Sequence, residues 1–330
     1  MPEYRNQILT GDALATLQTL PDSTMDMCLT SPPYYQLRDY GTTGQLGLEP
    51  DIGQWVEQLH AVVREIRRVL VPTGTLWLNL GDSYSTHRSQ GAPAKSLLLA
   101  PERVALAITA DGWLLRNKII WAKPNPMPSS TTDRLTAAHE VIYVFAKQPR
   151  YFFDLDAIRI PHTTRPGKPP KPRSRGPNKP AWRGSNSSSI GGLQRLRAAG
   201  IPGHPLGRNP GDVWMMPTAR GYGGHHATFP KPLAERAIQA GCPEKRCTTC
   251  RAPWRRPLRR LGATAIRLAL EPSCTHQDGH EPGLVLDPFI GSGTTAVAAM
   301  THKRDWLGIE LNPEYATTAR RRIQEAEDRP

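Results

Sequence analysis

The amino-acid sequence predicts an α/β protein, one doubly wound and mostly parallel β-sheet with helices on both faces, broken by two insertions. Three observations predict it. Short apolar runs alternate with segments of helical period along most of the 330 residues. Runs such as GTLWLNLG are apolar nearly throughout, as strands covered on both sides must be. Near the C-terminus, LVLDPFIGSGTTAVAA reads as a strand, a glycine-bearing turn and a helix start.

The elements follow in order. MDMCLT is a strand, and DIGQWVEQLHAVVREIRRVL is a helix because Trp55, Leu59, Val62, Val63, Ile66, Val69 and Leu70 recur at helical spacing. Pro72 with Gly74 closes that helix, and GTLWLNLG follows as a buried strand. SLLLAPERVALAITADG is helical with Pro101 near its start, and WLLRNKIIWAK and HEVIYVFAK are two strands at one edge of the sheet. Later, KPLAERAIQAG is a helix, GLVLD a strand, GTTAVAAMTH a helix, DWLGIEL a strand and PEYATTARRRIQEAE a final helix. No repeat at a fixed period is present.

Composition bounds the function. No window approaches the roughly 18 uninterrupted apolar residues of a membrane span, and the start MPEYRNQILTGDAL lacks the regions of a secretion signal, so a cytoplasmic protein is expected. The formal charge of +13 favours a polyanionic partner without telling DNA from RNA. From Ala157 to Gly211 there are eleven basic residues and no acidic one, in a run rich in proline and glycine. Taken alone, that run fits a solvated insert that cannot offset its ordering entropy, or an arm that lies along phosphates.

The glycine turn points to a cofactor. Gly291 and Gly293 let the backbone approach a ligand, and the helix N-terminus beginning at Thr294 attracts a negative group. Glu310 ends the next strand 23 positions beyond Asp287, the distance at which a carboxylate reaches ribose hydroxyls in nucleotide-binding folds. The pattern G-x-G-x-x-G is not completed, because Ala296 stands where its third glycine would be. That disfavours NAD and leaves S-adenosylmethionine as the better ligand.

DPFIGSGTT together with TSPPYY resembles the amino-group DNA methyltransferases, which methylate N4 of cytosine or N6 of adenine. The catalytic tetrapeptide precedes the cofactor motif, as in the permuted beta group of that family. The likeness spans roughly residues 4–156 and 212–320 and leaves the basic run unmatched. GDALATLQTLPDSTMDMCLTSPPY resembles the family's opening, NKIIWAKPNPMPSS and HEVIYVFAK its later core strands, and HHATFPKPLAERAI the segment along the methionine end of the cofactor. Ile290 replaces a commoner alanine.

The resemblance implies a Rossmann-like, S-adenosylmethionine-dependent methyltransferase sheet. It puts Ser31, Pro32, Pro33 and Tyr34 at the reaction, and Asp12, Phe229, Asp287, Phe289, Gly291, Gly293, Thr294 and Glu310 around the cofactor. It also implies double-stranded DNA as substrate, a partner restriction nuclease, and a cytoplasmic, nucleoid-associated setting. Serine before the prolines resembles the cytosine-N4 subset, with adenine N6 close behind.

The chemistry accounts for the tetrapeptide. The exocyclic amine is a poor nucleophile because its lone pair is conjugated into the ring. Two acceptors, Ser31 Oγ and the Pro32 carbonyl, would favour the pyramidal nitrogen of the transition state. Pro33 fixes the direction of that carbonyl, and Tyr34 would stack on a base flipped out of the duplex.

Several readings compete. PPYY also fits a WW-domain ligand, but such ligands need an exposed extended chain and this one abuts a buried strand. A structural turn is a second alternative. A cytosine-C5 enzyme would need a nucleophilic cysteine, in that family usually after a proline, and no Pro-Cys pair is present. RNA or a protein amide could replace DNA as substrate. The chain could also be a non-catalytic, zinc-containing DNA-binding protein with a dead methyltransferase fold.

Four of the five cysteines fall between Cys242 and Cys274. Cys247 and Cys250, with Cys274 and His276, have the spacing of a structural zinc site in a small loop, and Cys242 is a packing residue. Eight basic residues between Lys245 and Leu270, with Trp254 among them, suggest that this lobe touches DNA. The predicted organisation is a catalytic half at 1–156, a basic target-recognition insert at 157–222, a cofactor-binding half at 223–241 and 283–330, and a Cys-rich loop at 242–282. Trp182 and Trp214 are candidate base readers within the insert.

Overall fold

The computed structural model describes residues 4–162, 204–219, 228–261 and 264–328. Trp182 and most of the basic run lie outside the described residues. The chain divides into two compact units, one of Met1–Asp154, Gly211–Trp254 and Pro272–Pro330, the other of Leu155–Pro210 and Arg255–Glu271.

The first unit is built on an eight-stranded sheet. Its order is β1 (Gln7–Thr10), β12 (Asp305–Glu310), β11 (Leu284–Asp287), β2 (Met25–Thr30), β3 (Leu70–Leu80), β5 (His139–Ala146), β4 (Leu114–Ala122) and β6 (Val213–Met215). β5 is antiparallel to both its neighbours, and the other pairs are parallel. All of β2 and β11 is buried, which is why both read as unbroken apolar runs.

Helices α1 (Ala13–Thr19), α2 (Ile52–Val69) and α3 (Ala100–Ala110) pack in one layer. Helices α4 (Lys231–Gly241), α5 (Thr294–Thr301) and α6 (Pro313–Glu327) pack in the other. In α2, Asp51 caps the first turn by accepting from the Gln54 amide at 3.1 Å. The stripe Trp55, Leu59, Val62, Val63, Ile66 and Val69 then faces the core. No helix among the described residues is long and apolar enough to cross a membrane.

The structure departs from the sequence reading in three places. β3 begins at Leu70, directly after α2, and not at Gly74. Met25 pairs with Leu70 and Met27 with Thr75, so Pro72 and Gly74 sit in a bulge, where the missing proline N–H breaks no ladder bond. The antiparallel pair β4 and β5 is not the rim of the sheet, because β6 adds to β4 in parallel beyond it. Trp214 on β6 is 2% exposed, tilted against Trp77 and under Arg236, so it belongs to the core and cannot read bases.

The Cys-rich loop holds a two-residue pair, β7 (Arg246–Cys247) with β10 (His280–Glu281). The second unit holds the hairpin β8 (Leu258–Leu261) with β9 (Thr264–Arg267). The Cys and His ligand candidates lie in the first unit, and the arginine-bearing hairpin between them in sequence belongs to the second.

Candidate active site

Connections leave the middle of the sheet in opposite directions. β2 leads through α2 to β3 on one side, and β11 leads through α5 to β12 on the other. β2 and β11 are therefore neighbours at the switch point, where a crevice opens beyond the strand ends. Cys28 pairs with Leu286 in parallel, so the Ser31 turn and the Gly291 turn emerge side by side at the same end of the sheet.

Asp287 locks the two turns together. Its Oδ1 accepts from Thr30 Oγ1 at 2.7 Å and from the Phe289 amide at 3.1 Å, and its Oδ2 accepts from Thr295 Oγ1 at 2.6 Å. One carboxylate thus holds the end of β2, the glycine turn and the start of α5. Complete burial pushes its carboxyl up to about 6, against the pull of those donors. From α6, Arg322 donates to the Ser292 carbonyl at 3.0 Å and to Thr294 Oγ1 at 2.9 Å, a brace on the turn that no sequence motif announces.

Glu310, at the tip of β12, accepts from the Gly291 amide at 2.9 Å and from the Asn312 amide at 2.9 Å, and burial raises its carboxyl above the usual range. Asp12 caps α1 through the Ala15 amide at 2.8 Å. Asp12, Phe229, Asp287, Phe289, Gly291, Thr294 and Glu310 all line one cavity. Gly293 does not. It sits below, at the start of α5 with φ +81°, where an added Cβ would lie 3.3 Å from Ile323.

In the tetrapeptide turn each side chain has a separate fate. The Pro33 carbonyl accepts from the buried Trp55 Nε1 at 3.1 Å, and the Tyr35 carbonyl from Ser83 Oγ at 3.0 Å. Tyr35 is core, tilted against Trp55. The Pro32 carbonyl has no donor among the described residues. Tyr34 turns the other way, its ring against Gly81, where an added Cβ would be 2.7 Å from Tyr34 Cε2.

The Tyr34 hydroxyl enters a buried polar network. It donates to Glu140 Oε2 at 2.6 Å and accepts from Asn79 Nδ2 at 2.7 Å. Asn79 Nδ2 also reaches Glu140 Oε2 at 2.7 Å and Ser31 Oγ at 3.2 Å, while Lys123 forms a close ion pair with Glu140 Oε1. Burial, then the nearby Glu140, raises the phenol well above its ordinary value, so Tyr34 stays protonated. Its one proton goes to Glu140, so in the 3.0 Å contact between Ser31 Oγ and Tyr34 the serine is the donor. With Asn79 taking one serine lone pair, the other remains available.

Asn79, Lys123 and Glu140 were not found by sequence reasoning. The signal for Asn79 was an amide inside the apolar run LWLNLG, and for Glu140 a carboxylate opening the strand HEVIYVFA. Both line a second cavity of about 620 Å³ with Pro32, Tyr34, Trp121 and Lys123. Ser31, Tyr40, Thr228 and Phe229 line both cavities and form the wall they share.

Elsewhere, the four predicted metal ligands Cys247, Cys250, Cys274 and His276 come together, with ligand atoms all within 4.8 Å of one another. Cys28 and Cys242 are fully buried, and burial pushes both thiols far up, which makes them packing residues.

Residues 25–321 match the family model N6_N4_Mtase, described as DNA methylase. Type II methyltransferase M.XycI of Xanthomonas campestris pv. cyanopsidis is 33% identical over 336 residues, covering 95% of this chain and 86% of that protein. Type II methyltransferase M.SmaI of Serratia marcescens is 32% identical over 338 residues, covering 96% and 90%. Among solved structures, PvuII DNA methyltransferase, cytosine-N4-specific, superposes with a TM-score of 0.57 at 18% identity, covering 98% and 91% of the two chains. A DNA modification methylase of Thermus thermophilus, TTHA0409, complexed with S-adenosyl-L-methionine, gives 0.53 at 22% identity, covering 98% and 96%. The structural likenesses carry the fold, while the family model and the two sequence relatives carry the kinship. The chain belongs to the N6/N4 DNA methylase family, the S-adenosylmethionine-dependent methyltransferases that modify exocyclic amines of DNA.

Proposed function

We propose that the chain methylates N4 of a cytosine flipped from duplex DNA, at a fixed target sequence shared with a companion nuclease. The observation that carries this reading is the position of Ser31 on the wall common to two cavities. A donor in the first and a base in the second would meet at that hydroxyl.

The first cavity fits S-adenosylmethionine by its donor set. Glu310 keeps acceptor capacity beyond the two amides it serves, which suits ribose hydroxyls. Phe289 and Phe229 offer apolar walls, and the Gly291 turn admits close approach. The cofactor supplies an electrophilic methyl group. The protein's own contribution is orientation: Ser31 Oγ, through its remaining lone pair, and the unpaired Pro32 carbonyl accept the two amine hydrogens. Asn79 and Tyr34 fix the serine rotamer, and the Lys123–Glu140 pair fixes Asn79 and Tyr34. Serine in place of aspartate or asparagine before the prolines supports cytosine over adenine.

Charge supports DNA as the substrate. The second unit's two segments hold sixteen Lys and Arg against two Asp and Glu, so of the chain's formal +13 the remaining residues contribute −1. The test is incubation with labelled cofactor and duplex DNA, RNA or protein. Label in DNA is expected. Label confined to RNA or protein would remove the reading, and no label in any would favour a non-catalytic binding protein.

A further inference from the structure

Within the first unit, the Cys-rich loop is rooted at the opposite end of the sheet from both cavities. Arg246, 1% exposed, donates to the Thr24 carbonyl at 2.6 Å and to Asp26 Oδ2 at 2.7 Å, at the beginning of β2. Its Nε also bonds Glu281 at 2.8 Å, tying β7 to β10. Cys247 is the next residue, so the first sulfur is placed by a buried ion pair and not by a surface turn.

The turn that follows is built around that sulfur. The Cys247 carbonyl accepts from the Arg251 amide at 3.0 Å, and the Cys247 amide donates to the Ala252 carbonyl at 2.9 Å. The amides of Cys250 and Thr249 point at the Cys247 sulfur. Arg251 takes φ +59°, a left-handed conformation that a residue with a Cβ adopts only under constraint. The second ligand pair is tied to the first by Thr248 Oγ1 on the Asp278 carbonyl at 3.1 Å and Thr249 Oγ1 on Asp278 Oδ2 at 2.8 Å. All three thiols are free of disulfides, and three cannot pair among themselves without leaving one over.

Zinc–sulfur bonds of about 2.3 Å arranged tetrahedrally set ligand atoms about 3.8 Å apart. The four atoms here already lie within 4.8 Å of one another. We propose that Cys247, Cys250, Cys274 and His276 bind one Zn²⁺, and that this ion clamps the root of the 255–271 segment at the rim of the sheet away from the reaction. Binding releases the three thiol protons to solvent and leaves a closed four-coordinate centre of formal charge −1, which Lys245 and Arg251 in the same loop complement.

The clamp follows from the chain's path. Between Cys250 and Cys274 the chain leaves the first unit, forms β8 and β9 in the second and returns. That excursion holds five arginines between Arg255 and Glu271 and one acidic residue. A metal joining its two ends removes loop entropy from the unligated state. The lobe's role is then to present a basic hairpin, and the site lies apart from the strand ends where a base would enter.

The test uses the full chain, purified without a metal-affinity step and dialysed against EDTA. Elemental analysis should give one zinc per chain, and Co²⁺ exchange should give the absorption of a tetrahedral three-thiolate site. Cys274→Ser and His276→Ala should each weaken metal binding at least tenfold, and Cys242→Ser should leave it unchanged. In the two ligand variants, hydrogen exchange should rise across 255–271 and stay constant in β2 and β11, with cofactor binding retained. If the variants fail to fold, zinc release from the wild-type chain by a mercurial thiol reagent, with exchange followed in parallel, reads the same two quantities. Absence of zinc together with no cobalt spectrum, or equal metal binding in the ligand variants, overturns the site. Zinc lost without any change in exchange across 255–271 overturns the clamp.

Discussion

At the scale of single residues, Ser31 does its work as an oriented acceptor. Asn79 and Tyr34 both compete for its oxygen, but the Tyr34–Glu140 bond makes the serine the donor toward Tyr34, and one lone pair stays uncommitted. Ser31→Ala should therefore lower the single-turnover methylation rate about 10²–10³-fold, the usual loss for one transition-state hydrogen bond, with cofactor affinity little changed. A titration of cofactor binding beside a rapid-quench rate separates the two. Tyr34→Phe keeps the ring on Gly81 and removes only the bond to Glu140, so its rate should fall less than that of Tyr34→Ala. The alanine variant should also lose base extrusion, seen as the missing fluorescence rise of a 2-aminopurine target. Ser31 and Tyr34 were legible in the sequence because they are contiguous in a stiff turn. Asn79, Lys123 and Glu140 were not, because they come from separate parts of the chain and meet only when β3, β5 and β4 pair.

At the scale of elements, the site depends on two strand ends held level. Strands buried on both faces announced themselves as apolar runs, and their order followed from right-handed crossovers. β1 and β6, four and three residues long, carry too little pattern to be read and were supplied by pairing to longer neighbours. Gly81 closes β3 beneath the Tyr34 ring, and Gly81→Ala would place a Cβ 2.7 Å from it. That variant should bind cofactor normally and methylate slowly, which a rate-against-affinity comparison checks. Asp287 makes the lock between β2 and β11 sensitive to pH. Its carboxyl is raised from 3.8 to about 6, so its contribution to stability is full below the unfolded value and is lost as pH rises through the folded one. Relative to Asp287→Asn, the wild-type chain should lose roughly 3 kcal/mol of stability between about pH 4 and pH 6, measured by urea unfolding across that window. A difference between the two proteins that stays flat with pH would mean that Asp287 titrates as an ordinary carboxyl.

At the scale of the whole molecule, chemistry and charge are segregated. The first unit holds both cavities and is close to neutral, while the second carries more positive charge than the chain's net total. Composition made this legible only in part: the run after Ala157 was evident, but only folding shows that Arg255–Glu271 joins the same unit. Replacing the exposed Arg259 and Arg260 by alanine should weaken DNA binding and flatten its salt dependence by about 0.9 in log–log slope for each phosphate no longer neutralised, with methyl transfer at saturating DNA preserved. The central claim is that a donor beside Gly291 and a cytosine beside Tyr34 meet at Ser31. Its most direct measurement is mass spectrometry of nucleosides from duplex DNA methylated by the purified chain. N4-methylcytosine, absent when Ser31 is alanine, is the predicted product; N6-methyladenine alone, or undiminished product from the Ser31 variant, would contradict it.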